Sequence, residues 1–417
     1  MIAEVYRKRL PASVRQRIWN FRINCREAAL KLKLEPIRVD ACLRGGDNGV
    51  PAAIFARMIG DIRRASAPIS EWPHTKLLRQ YDSVGDHIWE SETFKDTDYF
   101  RNAALNIEIF GNYHSALTLD QIEWGARRFI CAYSGRGEML PPQEGEHQDR
   151  HPLEHIAVHP VKDSACYQVH EGHHRLAIAY MRGVREVPGL ILKPPVTTPV
   201  QDLLREVLWL KGRRELYQPV NSPEVADWIL VRRCSDRLEK MTEFLKAEGL
   251  MPPAQRSYLD VACSYGWFVA EMTKLGFRAE GLDRDPIALA VGKVMYGLRP
   301  EQLYRGDAVT FLRGLKEKYD VTSCFSLAHH YILNRKNASV EDLIHLMDST
   351  TRSVMFFDMG QSHEYTGDIL KSWDADYIHR WLEANTTFTQ IVRLGTDEDA
   401  VPPNQHNFGR MLFACLR

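Results

Sequence analysis

The chain has no surplus of charge: its 417 residues carry 54 Lys plus Arg against 54 Asp plus Glu, for a formal net charge of +0. Without a general cationic field the molecule does not draw in nucleic acid or an anionic membrane, and only local patches remain for that purpose. Cysteine pairing signals are equally scarce. The cysteines at 25, 42, 131, 166, 234, 263, 324 and 415 contain no CxxC spacing, which fits buried thiols in a reducing compartment better than a disulfide framework and leads us to expect a cytoplasmic protein. No run of about eighteen apolar residues occurs, so no transmembrane segment is expected. The N-terminus MIAEVYRKRLPASVRQRIWNF is too charged for the apolar stretch of a signal peptide. Also absent is the GxGxxG fingerprint of dinucleotide-binding turns.

What is present is enough apolar material for a large core. Hydrophobic residues make up 44% and charged residues 26%, ordinary values for a globular protein. The length exceeds the size at which single cores stop growing, so two domains are expected. Tyr6, Arg7, Lys8, Arg9, Arg15, Arg17, Trp19 and Arg22 give the first segment a basic, aromatic face, which reads as a solvated helix against the body or as a surface for an anionic partner.

From about residue 153 the pattern sharpens. LEHIAVHPV and CYQVHEG read as short strands, HHRLAIAYMRG as a helix closed by Gly183, and VPGLILK as a strand. PPVTTP at 194–199 breaks the chain. Two linking helices are expected over 200–250, the second with Pro223 in its first turn and Gly249 at its end. Strands and helices then alternate from 257 onward. This alternation predicts an α/β domain over 251–417 with a parallel, doubly wound, Rossmann-like sheet and a last strand that runs antiparallel.

In such a sheet ligands bind outside the carboxyl ends of the strands, and the turn after the first strand supplies the approach. LDVACSYGWF occupies that turn. Gly266 lets a ligand come close because it has no side chain, and Asp260 is placed to order the loop or to cap a helix. Asp283 ends the second strand, where a carboxylate accepts both hydroxyls of a ribose. Asp307 ends the third strand and is also a candidate helix cap. Asp260, Gly266, Asp283 and Asp307 in this order resemble the motifs of class I S-adenosylmethionine-dependent methyltransferases. The resemblance implies that Gly266 lies against the amino-acid part of that cofactor, Asp283 holds the ribose and Asp307 lies near the adenine. Two loop positions that are usually glycine in the family are Ala262 and Ser264 here, and both are carried as cofactor-binding candidates.

Methyl transfer to an alcohol needs a group that removes the proton. CFSLAHHYIL places His329 and His330 just past the fourth strand, and either one is a candidate base because imidazole titrates near neutral pH. The sequence there is not the D/N-P-P-Y type of the enzymes that methylate amino groups of nucleic-acid bases, which argues against such substrates. After the fifth strand, FFDMGQSHEY offers Asp358, Gln361, His363 and Glu364 to the same rim.

A second loop, VHEGHHRLA, leads into a helix whose free amides favour a phosphate, and Arg175 adds a bidentate donor. The run strand, strand, GHHR, helix, strand resembles the ParB/sulfiredoxin-like domain, over about 150–195 within an N-terminal α+β region of 1–199. The resemblance implies a phosphate or nucleotide role for Gly172, His173, His174 and Arg175. His147, His151, His155 and His159 have helical metal-ligand spacing, but Pro152 and Pro160 oppose a helix there, and no metal site is expected. The segments YRKRLPASVRQRIWNFR and LYQPVNSPEVADWILVRRCSDR look like stretches of bacterial surface-polysaccharide modification enzymes. The expected function is O-methylation of a polar phosphorylated or glycan acceptor, with a non-catalytic nucleotide-binding switch or nucleic-acid adaptor and a bifunctional small-molecule kinase-methyltransferase as alternatives.

Overall fold

The computed structural model describes residues 34–47, 49–135, 155–251, 255–333, 338–364, 368–399 and 409–417. The basic N-terminal face, His147 and His151 lie outside the described residues. The chain forms two compact units, one of Met1–Asp202 with Ser222–Asp227 and one of Leu203–Asn221 with Trp228–Arg417.

In the first unit a five-stranded sheet has the order β1-β5-β3-β4-β2, made of β1 (Glu35–Arg38), β2 (Cys42–Leu43), β3 (Ile156–Pro160), β4 (Tyr167–Glu171) and β5 (Glu186–Ile191). β3 runs parallel to β5 and antiparallel to β4, so the sheet is mixed. Helices α1 (Ala52–Ile59), α2 (Pro73–Val84), α3 (Asp98–Phe110) and α4 (Leu119–Ser134) come from the region whose sequence is least readable. α5 (His173–Met181) follows β4 directly, and Gly183 beyond it takes the left-handed φ of 69° that ends a helix. Leu176 and Ala179 pack on Ile37, Trp72, Ile156 and Val158, while Ala177 reaches a second core with Leu77, Tyr99, Tyr113 and Phe129.

The chain passes to the second unit within α6 (Pro199–Arg205). The two long linking helices expected over 200–250 are not formed. Instead β6 (Glu215–Leu216) pairs in parallel with β7 (Ile229–Leu230), Pro223–Val225 is a single 3-10 turn, and α7 starts only at Ser235 and runs to Ala247. The reason is burial of charge: Arg232 and Arg237 are buried and paired with Asp397 and Asp399.

The second unit is built on a seven-stranded sheet of order β10-β9-β8-β11-β12-β14-β13. Its strands are β8 (Ser257–Val261), β9 (Arg278–Asp283), β10 (Leu303–Arg305), β11 (Tyr319–Cys324), β12 (Thr351–Phe357), β13 (Gln390–Thr396) and β14 (Met411–Leu416). The five from β8 to β12 are parallel, and β14 is inserted antiparallel between β12 and β13. The strand order reverses between β8 and β11, which makes the sheet Rossmann-like and opens a crevice at their carboxyl ends. Helices α8 (Trp267–Lys274), α9 (Pro286–Tyr296), α10 (Ala308–Gly314), α11 (Ala328–Ile332), α12 (Val340–Thr350) and α13 (Ala375–Asn385) connect the strands. β8 is buried along its whole length, as a strand covered on both faces must be.

Candidate functional site

The turn after β8 is held to the end of β9 by its own backbone. The amides of Ala262 and Cys263 both donate to the Leu282 carbonyl, at 2.8 and 2.9 Å, and the Gly266 amide donates to the Cys263 carbonyl at 2.8 Å. This path requires left-handed backbone at Ala262 (φ 67°), Ser264 (φ 53°) and Gly266 (φ 79°). Glycine adopts that region freely, whereas alanine and serine each bear about 1–2 kcal/mol of strain. A Cβ on Gly266 would stand 2.8 Å from Leu298 Cδ1, and one on Gly292 of α9 would stand 2.2 Å from the Tyr265 carbonyl oxygen, so the loop is packed tightly from below.

Asp283, at the end of β9, is half-buried and is fixed by this loop. The Ser264 amide donates to its Oδ2 at 2.8 Å and the Asp285 amide to its Oδ1 at 2.9 Å. Burial raises its carboxyl above the usual range, and those two backbone donors oppose the rise. A carboxylate has about four lone-pair sites, so capacity remains for a further donor beside the backbone amides. Asp260 is more deeply placed, 2% exposed, and accepts the Ser323 hydroxyl at 2.6 Å, while the Tyr258 and Ser323 hydroxyls are 2.6 Å apart. Burial first, and then the charges of Asp283 and Asp358, push its carboxyl up to about 7 against the Ser323 bond. Asp307 is exposed and caps α10, accepting the Thr310 amide at 3.1 Å.

The two histidines at the start of α11 separate into different environments. His329 is 4% exposed, and its Nδ1 accepts the Gly360 amide at 3.1 Å, so it ties α11 to the segment after β12. His330 is half-buried with its ring centroid 4.2 Å from that of His329. The acids after β12 are engaged elsewhere: Glu364 forms a two-pronged pair with Arg410 (2.6 and 2.7 Å), and Asp358 accepts the Ser326 amide at 2.8 Å. Gln361 is buried and His363 exposed.

Sequence reasoning misses two residues that shape this crevice. Gln218 is buried and bridges the loop, donating to the Cys263 carbonyl at 3.2 Å and accepting the Trp267 amide at 3.2 Å, so it occupies one of the free donors at the start of α8. Arg410 at the start of the last strand donates to Ser326 Oγ at 2.7 Å as well as to Glu364. Neither residue has a local signal, because each partner is far away in sequence.

In the first unit the GHHR turn does not present its four residues together. Gly172 (φ 103°) starts α5 in the left-handed region, and Arg175 is exposed with a 3.4 Å contact to the His155 carbonyl. The pair expected to face a phosphate is turned inward. His173 lies on the same helical stripe as Leu176 and Ala177, is 3% exposed, and donates Nε2–H to the Arg44 carbonyl at 2.7 Å; His174 Nε2 lies 2.9 Å from the Tyr99 hydroxyl. Below them Arg44, Asp47, Asn102 and Asn106 form a buried polar cluster, joined by bonds of 2.6 Å (Arg44 to Asn102), 3.1 Å (Asn102 to Asp47) and 2.9 Å (Asn106 to Asp47). Burial alone would raise the Asp47 carboxyl, but Arg44, and after it His173, hold it well below the usual carboxylate range.

No protein-family model matches the sequence, and no curated protein matches it in a sequence comparison. Solved structures with a similar fold include WbdD, described as a bifunctional kinase-methyltransferase, at 18% identity and a TM-score of 0.40, covering 52% of this chain and 46% of that one. An S-adenosylmethionine-dependent methyltransferase from Archaeoglobus fulgidus matches at 15% identity and a TM-score of 0.32, covering 44% of this chain and 95% of that one. Magnesium protoporphyrin IX methyltransferase from Synechocystis PCC 6803, solved with bound S-adenosylmethionine, matches at 16% identity and a TM-score of 0.31, covering 43% and 78%. The match thus spans less than half of the WbdD chain.

Proposed function

We propose that the second unit binds S-adenosylmethionine at the loop 262–266 and transfers its methyl group to an oxygen of a polar acceptor. The observation that carries this reading is Asp283: a half-buried carboxylate at the end of β9, oriented by the amides of Ser264 and Asp285, with lone-pair capacity left over for a ribose hydroxyl. The residues around it fit such a group. Gly266 leaves room for close approach, Asp260 stiffens the strand end through Ser323, and Asp307 stands exposed after β10 for a base edge. When bound, the cofactor supplies an electrophilic methyl group. His330 takes the proton that the acceptor oxygen loses, and His329 holds α11 in place beside it.

The acceptor class is a phosphorylated or glycan molecule of the surface-polysaccharide type. That assignment rests on the likeness of residues 216–237 to polysaccharide-modifying enzymes. Gly172 and Arg175 supply the first unit's contacts to a phosphate or nucleotide, without the two histidines that fold inward. The seven described cysteines are unpaired, and we assign the protein to the cytoplasm on that ground.

Titration calorimetry tests the cofactor reading. S-adenosylmethionine and S-adenosylhomocysteine are expected to bind with micromolar Kd, about −8 kcal/mol, and Asp283→Ala to weaken both by tenfold or more. No heat at millimolar cofactor with the folded protein would make the unit a scaffold rather than an enzyme.

A further inference from the structure

Three histidines of the first unit, at positions 74, 114 and 174, meet although they are far apart along the chain, and no part of the proposed methyl transfer uses them. His74 sits in the first turn of α2, His174 in the first turn of α5, and His114 in the tight turn after α3, where Tyr113 and Ala116 bond to each other through their backbones. One ring nitrogen from each lies within 4.8 Å of the others. The ring centroids of His74 and His114 stand 4.5 and 4.6 Å from that of His174, and Phe129 walls the group at 4.5 Å from His174.

Two further observations point to a ligand. His74 is 0% exposed and its Nδ1 has no hydrogen-bond partner among the described residues, while its Nε2 is 2.9 Å from the Tyr113 hydroxyl. An unmatched buried polar atom is costly to fold around, and the tautomer that donates Nε2–H to the Tyr113 oxygen leaves Nδ1 as a bare lone pair. His114 holds φ at 50°, a left-handed backbone that non-glycine residues avoid and that accumulates at functional sites.

We propose that His74, His114 and His174 bind a divalent transition-metal ion of the zinc class. Three imidazoles with no carboxylate among them suit Zn²⁺, Co²⁺, Ni²⁺ or Cu²⁺ and not Mg²⁺ or Ca²⁺, which require oxygen ligands. Zinc–nitrogen bonds of about 2.0–2.1 Å at tetrahedral angles place ligand nitrogens about 3.3 Å apart, so small rotations of the rings close the set. Three protein ligands leave a fourth position for water or a substrate atom, the arrangement of zinc sites that do chemistry. The hydroxyls of Tyr113 and Tyr99 hold Nε2 of His74 and of His174 and so fix the ring orientations, as metal-bound imidazoles require. Buried Asp47, whose Oδ1 has no hydrogen-bond partner among the described residues, interacts electrostatically with His114 and supplies nearby negative charge for a dication.

The test uses the untagged full-length protein, stripped with chelator and titrated with Zn²⁺, with Co²⁺ as a visible reporter of four-coordinate geometry. One ion per chain is expected, with a higher thermal midpoint in Zn²⁺ than in chelator. His114→Asn keeps a residue that tolerates positive φ, and His174→Gln keeps a polar group on Tyr99; each is expected to lose at least a hundredfold in affinity and the Co²⁺ bands. Tyr113→Phe is expected to lose about 10–100-fold. Absence of binding at micromolar Zn²⁺ in the wild-type protein overturns the proposal. So does binding that stays unchanged in His114→Asn and His174→Gln, whose folding is verified by circular dichroism, since the ion then sits on other histidines. Neither result touches the methyl-transfer reading, which concerns the second unit alone.

Discussion

Replacing Asp260 by Asn changes one proton-binding site and almost no volume, and it should change how stability responds to pH. The folded protein holds this carboxyl at about 7, against 3.8 for an ordinary aspartate, because it is buried and faces Asp283 and Asp358. Between those values the native state keeps a proton that the unfolded chain releases, so stability falls as pH rises. The contribution is fully present below about pH 4, is lost progressively toward pH 7, and is flat above it. A tenfold difference in proton affinity between the two states is worth about 1.4 kcal/mol, and the difference here is about a thousandfold, which sets an upper bound of about 4 kcal/mol between pH 4 and 8. Asp260→Asn accepts the Ser323 hydroxyl through its amide oxygen and carries no charge to bury. Its unfolding free energy, from urea melts at half-unit pH steps followed by tryptophan fluorescence, should show a flatter slope from pH 5 to 7 and should exceed that of the wild type at pH 8. Parallel curves for the two proteins would refute the assignment of the raised carboxyl to Asp260.

Two other perturbations probe the same crevice. Gly292→Ala puts a methyl group 2.2 Å from the Tyr265 carbonyl oxygen, a backbone atom that must move, so it is expected to destabilise the second unit by about 1–3 kcal/mol and to weaken cofactor binding, read by melting and calorimetry. His330→Ala should lower methyl transfer, followed as S-adenosylhomocysteine formation, by about a hundredfold with cofactor Kd unchanged, whereas His329→Ala leaves the Gly360 amide unsatisfied and should lower the melting temperature instead.

The second unit was legible in the sequence because its code is local. Strands and helix patterns alternate from β8 to β12, Asp260 is the next-to-last residue of β8 and Asp283 the last of β9, whereas β10 stops at Arg305 and Asp307 follows it as the cap of α10. The segment 200–250 was not legible. PEVADWILVRRCSDRLEKMTEFLKAEG has helical spacing throughout, yet Cys234 takes φ 63° and α7 begins after it. What overrides the spacing is the pairing of Arg232 and Arg237 with Asp397 and Asp399, about 160 residues away, and no window of sequence contains both halves. The first unit fails the reader in the same manner: β1 and β2 are four and two residues long, too short to show alternation. His173 and His174 advertise a surface turn until Arg44 and Tyr99 are seen beneath them.

The left-handed Ala262 and Ser264 bear on the timing of ligand capture. A glycine at either place would relieve the steric cost but add about 0.4–1 kcal/mol of freedom to the loose chain. With side chains there, the turn arrives already frozen into its receptor shape, so little disorder remains to be extinguished when a guest settles. Such a turn resembles a spring set during folding, and swapping in glycines would give a protein that is easier to fold and slower to grip.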